Sequence, residues 1–211
     1  MKQGGLTLVD VIVIVLVVGV LAVILLPAIL PHRMRSSKRA TCSYNLKVVA
    51  LAFRTWSIDN RDKYPMSATN RNGPLAMAGG TDALRAFQVM SNELNNPRVL
   101  LCRADERNLA TNGDFSRLQN SNLSYFVGLD ASELFPSMIL SGDRNLETNG
   151  VAVGSGLLVI TQTNGLGFTA KMHNRQGNLG LADGSVQQVS RFGLQTYISR
   201  TETKVTRLGM P

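Results

Sequence analysis

The sequence predicts an α+β protein: one long N-terminal helix, membrane-spanning in its first half, packed on a mostly antiparallel β-sheet. Three observations predict it. Residues 11–30 are twenty residues without a charge. Beyond them Cys42, Leu46, Val49, Phe53 and Trp56 recur at helical spacing. The later strand-like runs follow one another without regular crossover helices, which argues against a doubly wound parallel sheet.

The 211 residues carry 22 basic and 14 acidic side chains, for a net charge of +8, with 44% hydrophobic and 17% charged residues. That apolar content supports a packed core and excludes disorder as a description of the whole. A single long apolar stretch excludes a polytopic membrane protein. Two cysteines exclude a disulfide-dense scaffold and an all-cysteine zinc site. The charge is uneven. Residues 1–59 hold Lys2, Arg33, Arg35, Lys38, Arg39, Lys47 and Arg54 against Asp10 and Asp59. A basic cluster beside an apolar segment fits lipid headgroups better than nucleic acid.

At about 1.5 Å per residue, residues 11–30 cover roughly one hydrocarbon thickness as a helix. Their length, the missing small-x-small cleavage site and Asp10 argue against a cleaved secretory signal. A plain signal anchor fits the hydropathy but leaves Asp10 unexplained, because a carboxylate at the membrane boundary needs a partner. Pro27 removes one helical donor and should loosen the helix.

The helix continues over residues 33–60, and Asp59-Asn60 with the turn before Pro65 ends it. Residues 66–80 read as a loop, and Thr81 as the cap of a short helix bearing Leu84, Phe87 and Leu94. Val99–Cys102, Leu123–Gly128, Met138–Leu140 and Leu157–Thr161 read as strands. Asn112-Gly113 reads as a turn. Asn178–Ala182 and Ser185–Val189 flank Asp183-Gly184, a hairpin signal. A short helix is expected at 192–200; the tail after it carries no signal. Gly154-Ser155-Gly156 and Gly165-Leu166-Gly167 lack phosphate-loop spacing and read as turns.

The run Gly4-Gly5-Leu6-Thr7-Leu8-Val9-Asp10 resembles the prepilin cleavage and methylation motif of type IV pilins and type II secretion pseudopilins. Leu6 stands for the usual phenylalanine and Asp10 for the usual glutamate. The resemblance implies a pilin-like fold, cleavage between Gly5 and Leu6, and N-methylation of Leu6. It also implies pairing of Asp10 with the amine of a neighbouring subunit in a filament. Pro27 falls where pilins commonly carry a helix-loosening proline. Later segments resemble one pilin-like subfamily: Cys42 to Lys47 followed by Asp59 to Pro65, then Val99 to Asp105 with Arg103 in place of a proline. The last is His173, nine intervening residues, and Asp183-Gly184.

The organisation so implied is a leader at 1–5, a transmembrane helix at 6–31, its continuation at 32–64 and a globular sheet domain at 65–211. The partners are a prepilin peptidase/methyltransferase, other pilin-like subunits, the inner-membrane secretion or pilus assembly platform and the lipid bilayer. The location is the bacterial inner membrane, single-pass, with the C-terminal domain in the periplasm. The basic residues at 33–39 point the other way by the positive-inside rule. The function expected is a non-enzymatic structural subunit of a type II secretion pseudopilus or type IV pilus-like filament. The rivals are a non-polymerising signal-anchored binding module and a minor pilin that binds DNA.

Cys42 and Cys102 in an oxidising compartment form a disulfide between the long helix and the first strand, or else stay two buried thiols. His173 and Asp183 read first as structural, with metal binding and catalysis as alternatives; one histidine and one carboxylate are too few for a zinc site. No nucleophile motif such as G-x-S-x-G is present. No metal or other cofactor is expected. Calcium is known in related pseudopilins, but no residue set here is assigned to it.

Overall fold

The computed structural model describes residues 7–67, 83–108, 113–163, 165–200 and 205–211, with side chains described outside 26–37. The chain divides into two compact units, Met1–Ser37 and Lys38–Pro211. Helix α1 (Leu8–Asp59) contributes to both. In the first unit its segment Leu8–Leu25 is long and apolar enough to cross a membrane and is not buried by other parts of the chain. Beyond its first turn the backbone groups bond within the helix, a form lipid accepts.

In the second unit α1 ends at Asp59, at the Asp59-Asn60 stop read from the sequence. The Ser57 carbonyl accepts the N–H groups of both Asn60 (2.9 Å) and Asp62 (3.0 Å). Arg61 and Asp62 take left-handed φ angles of 61° and 57°, which turns the chain off the helical path. Tyr64 then fixes the exit. Its ring meets Phe53 edge-on at 5.8 Å, and its hydroxyl donates to the Ala182 carbonyl at 2.6 Å.

Two short helices follow, α2 (Ala83–Val89) and α3 (Ser91–Leu94). The strands are β1 (Tyr125–Gly128), β2 (Ile139–Asp143), β3 (Leu146–Thr148), β4 (Val151–Ala152), β5 (Gly156–Thr161), β6 (Leu166–Phe168), β7 (Gln176–Leu181) and β8 (Val186–Ser190). Helix α4 (Arg191–Arg200) and strand β9 (Val205–Met210) complete the fold. Six strands form one sheet in the order β5-β9-β1-β2-β7-β8, and three form another, β4-β3-β6. Every pairing is antiparallel.

The large sheet is covered on both faces, as the alternation of side chains shows. Tyr125, Val127 and Leu140 join Leu46, Val49, Phe53 and Trp56 of α1, with Phe87 and Leu94, in one core. Phe126, Ile139, Leu179 and Leu208 join Leu146, Leu166 and Phe168 of the small sheet, with Leu194 and Ile198 of α4, in a second. The central strands β1 and β2 are therefore buried at every position, and the polar side chains among them, Ser141 and Asp143, are buried too. The helical stripe read from the sequence is buried throughout.

Several expectations are corrected. Val99–Cys102 is not a strand; Pro97–Leu100 form a 3-10 turn, with Pro97 at its start and the Asn96 side chain capping the Arg98 N–H. Proline fixes φ and the cap ends any extended path. Gly165-Leu166-Gly167 is not simply a turn, since Leu166–Phe168 is β6. The tail contains β9, an interior strand between β5 and β1. Thr81 and Asn112 lie outside the described residues.

Candidate functional sites

The N-terminal motif begins at the edge of the described chain. Gly5 and Leu6 lie outside the described residues; Thr7 and Asp10 are within them. Thr7 donates to Asp10 Oδ2 through its backbone N–H (2.9 Å) and its hydroxyl (2.7 Å). The Asp10 N–H donates back to Thr7 Oγ1 at 3.3 Å. This is a reciprocal cap of the first turn, with aspartate in the place glutamate usually takes. It gives Asp10 a local role at the positive end of the helix dipole. Pro27 lies inside α1, which is helical through that position.

Two more features of α1 bear on function. In the second unit Tyr44, Leu51 and Ile58 are 69%, 60% and 74% exposed. At 100° per residue they lie about 180° from the buried stripe. The nearest cations leave this face: Lys47 Nζ donates to the Gly184 carbonyl (2.6 Å) and an Arg54 guanidinium N–H to that of Asp183 (2.8 Å). Asp183 also accepts from the Ser185 N–H at 2.7 Å, and Gly184 takes φ +81°. The Asp183-Gly184 turn is thus both a hairpin corner and a clasp on α1.

The other end of the His-x9-Asp-Gly signature reaches a different place. Cys42 of α1 and Cys102 form a disulfide with Cα atoms 5.0 Å apart. Cys102 lies in the coil after the 3-10 turn, not in a strand. His173 Nε2 sits 3.3 Å from Cys102 Sγ and 3.4 Å from Asp143 Oδ2. Asp143 is wholly buried. Its Oδ2 accepts the backbone and side-chain N–H groups of Asn178, both at 2.8 Å. Its Oδ1 is buried with no hydrogen-bond partner.

Asn145 holds the loop that carries His173. Its Nδ2 donates to the carbonyls of Thr169 (3.4 Å), Lys171 (3.0 Å) and Gln176 (3.2 Å). Arg39 comes from α1, donating to the Gln176 side chain and to the carbonyls of Gly177 (3.1 Å) and Val189 (3.4 Å). Burial pushes the Asp143 carboxyl up to about 7, although the Asn178 bonds and Arg39 pull it down. Burial, then Arg39, pushes the His173 imidazole down to about 4. Burial thus favours the uncharged imidazole, so its 3.4 Å contact with Asp143 is not an ion pair of two full charges.

The sequence points first to structural roles for His173 and Asp183; Asp183 sits in the hairpin turn, and His173 comes to Asp143 and the Cys42–Cys102 bond. Asp143, Asn145, Asn178 and Arg39 were missed. The polar Ser-Gly-Asp-Arg-Asn run after Met138–Leu140 was the available signal, since it continues a buried strand with a carboxylate.

The fold and these sites define a class: an α+β domain, built on an antiparallel sheet, carried by an apolar N-terminal helix. Compared with family models, with curated proteins and with solved structures, the chain matches none.

Proposed function

We propose that the chain is a pilin-like structural subunit, anchored in the bacterial inner membrane and assembled into a type II secretion pseudopilus or a related filament. The observation that carries this reading is the apolar surface of α1. It is exposed over Leu8–Leu25 and exposed again at Tyr44, Leu51 and Ile58, opposite the face that holds the sheet. A helix serving only one small domain needs one apolar face. A helix that packs on neighbouring copies needs two.

In this reading a prepilin peptidase cuts between Gly5 and Leu6, and Leu6 is N-methylated. The freed amine of Leu6 pairs with Asp10 of an adjacent subunit. Both Thr7 bonds end on Oδ2, so the pairing uses Oδ1. Removing water from both charges together gives the buried carboxylate the partner that lipid cannot supply. The inner-membrane platform then adds subunits with the sheet domains outside, in the periplasm.

The Thr7–Asp10 cap favours one other reading, a signal-anchored domain that never polymerises, because it accounts for Asp10 within one chain. The N-terminal mass of the protein from its native membrane separates the two. A chain beginning at N-methylated Leu6 is expected. A chain still beginning at Met1 removes the basis for assembly.

A further inference from the structure

We propose that Cys42, Cys102 and His173, with the adjacent Asp143 as fourth donor, form a zinc site when the disulfide is reduced, so that α1 stays stapled to the sheet domain in either redox state. This goes beyond the assembly reading, in which the periplasmic domain holds the disulfide and the zinc form belongs to the chain before oxidation.

The geometry carries the proposal. The sulfurs of Cys42 and Cys102 and a ring nitrogen of His173 all lie within 4.8 Å of one another, and all three residues are buried. Asp143 lies beside this cluster of three, its Oδ2 3.4 Å from His173 Nε2, and is the carboxylate placed to complete the set, while Cys102 Sγ lies 3.3 Å from that same nitrogen. In a tetrahedral zinc site with Zn–S near 2.3 Å and Zn–N or Zn–O near 2.0 Å, neighbouring donors stand about 3.3–3.8 Å apart. Two of the edges are therefore already near length. The sulfur pair has only to separate by rotation about the Cα–Cβ bonds.

The surroundings also fit. Asn178 orients Asp143 Oδ2 with two hydrogen bonds, and Asn145 fixes the His173 loop. Such outer contacts hold ligands in place. Asp143 Oδ1, buried without a partner, is a polar atom that the disulfide form leaves unused. The charges close as well. Two thiolates and one carboxylate face a divalent cation, and the half-buried Arg39, whose field reaches both Asp143 and His173, balances the remainder.

The chemistry balances in two steps. A dithiol reductant gives up two electrons and two protons and closes its own disulfide; the Cys42–Cys102 bond breaks to two thiols. Zinc then forms two bonds to sulfur and displaces both thiol protons to solvent. The compartment selects the form, disulfide on the oxidising side and metal thiolate on the reducing side.

Cobalt(II) is the probe, on the full chain in detergent, reduced in denaturant and refolded without air. One equivalent per chain should give thiolate-to-cobalt charge transfer and the visible bands of a tetrahedral site, and zinc should displace it. The oxidised chain should give neither. His173→Ala should weaken binding at least tenfold, and Asp143→Asn should change the visible bands. Absence of thiolate charge transfer in the reduced chain overturns the proposal. So does equal affinity in His173→Ala, which would mean chelation by two thiols alone. If reduction unfolds the chain, zinc must restore its circular dichroism; failure to do so is equally decisive against the site.

Discussion

His173 and Asp143 are two buried groups whose titrations push stability in opposite directions with pH. Asp143 binds its proton more tightly in the folded chain, up to about 7. Its contribution to stability is full below the unfolded value near 4 and falls as pH rises toward 7. His173 is the reverse, with its folded value near 4. Its contribution is present above the unfolded value near 6.5 and is lost as pH falls toward 4. Between these limits the two slopes oppose each other. Urea denaturation of the oxidised chain at pH 4, 5.5 and 7 checks this. His173→Gln should become less stable as pH rises, relative to the parent chain, and Asp143→Asn more stable. Each slope should approach about 1.4 kcal/mol per pH unit. Parallel pH profiles for all three chains would show that the pair does not share its proton load in this way.

Among the elements, α1 does the most varied work. Its buried stripe was legible in the sequence because Cys42, Leu46, Val49, Phe53 and Trp56 obey the helical period. Its opposite face was not read, because Leu51 is hidden within the apolar run Val48–Phe53 and Tyr44 and Ile58 stand singly among polar neighbours. Only once the sheet is seen to occupy the other side does their exposure acquire meaning. Replacing all three with glutamine should change the stability of the isolated chain by no more than about 0.5 kcal/mol each, since exposed positions contribute little. Incorporation into filaments, followed by shearing and immunoblot, should be lost. Normal incorporation of the triple variant would exclude this face as a subunit contact. Strand β9 illustrates the opposite problem. Thr206, Leu208 and Met210 are buried while Val205 and Arg207 are exposed, a period of two. Yet Arg207, paired with Asp130 at its side, and the glycine at 209 disguise the run as a polar tail.

For the whole molecule, the Cys42–Cys102 bond joins positions 60 residues apart. Closing a loop of that length stabilises the fold by about 4 kcal/mol in the chain-entropy account. Reduction without metal should lower the free energy of unfolding by about that amount, read as a fall in the urea midpoint. A change below about 1 kcal/mol would mean that the reduced ensemble is already compact. The ends of the sheet domain are tied by further long-range bonds. Arg107 donates to the carbonyls of Asn120 (2.7 Å), Leu123 and Pro211 (3.1 Å), and Arg144 makes a two-pronged pair with Asp105 at 2.6 and 2.7 Å.

By itself the sequence determined the apolar N-terminal helix, the stripe that follows it, the Asp183-Gly184 hairpin and the α+β class. Each rests on a local rule: an uncharged run of membrane length, a period of 3.6, or a dipeptide that tolerates a tight turn. Tertiary structure alone decided that β9 lies inside the sheet and that Val99–Cys102 is not a strand. It alone decided which residues His173 meets, Asp143 and the two cysteines. Strand pairing and buried side-chain clusters join residues tens of positions apart, and no local pattern encodes which distant partner will close the contact.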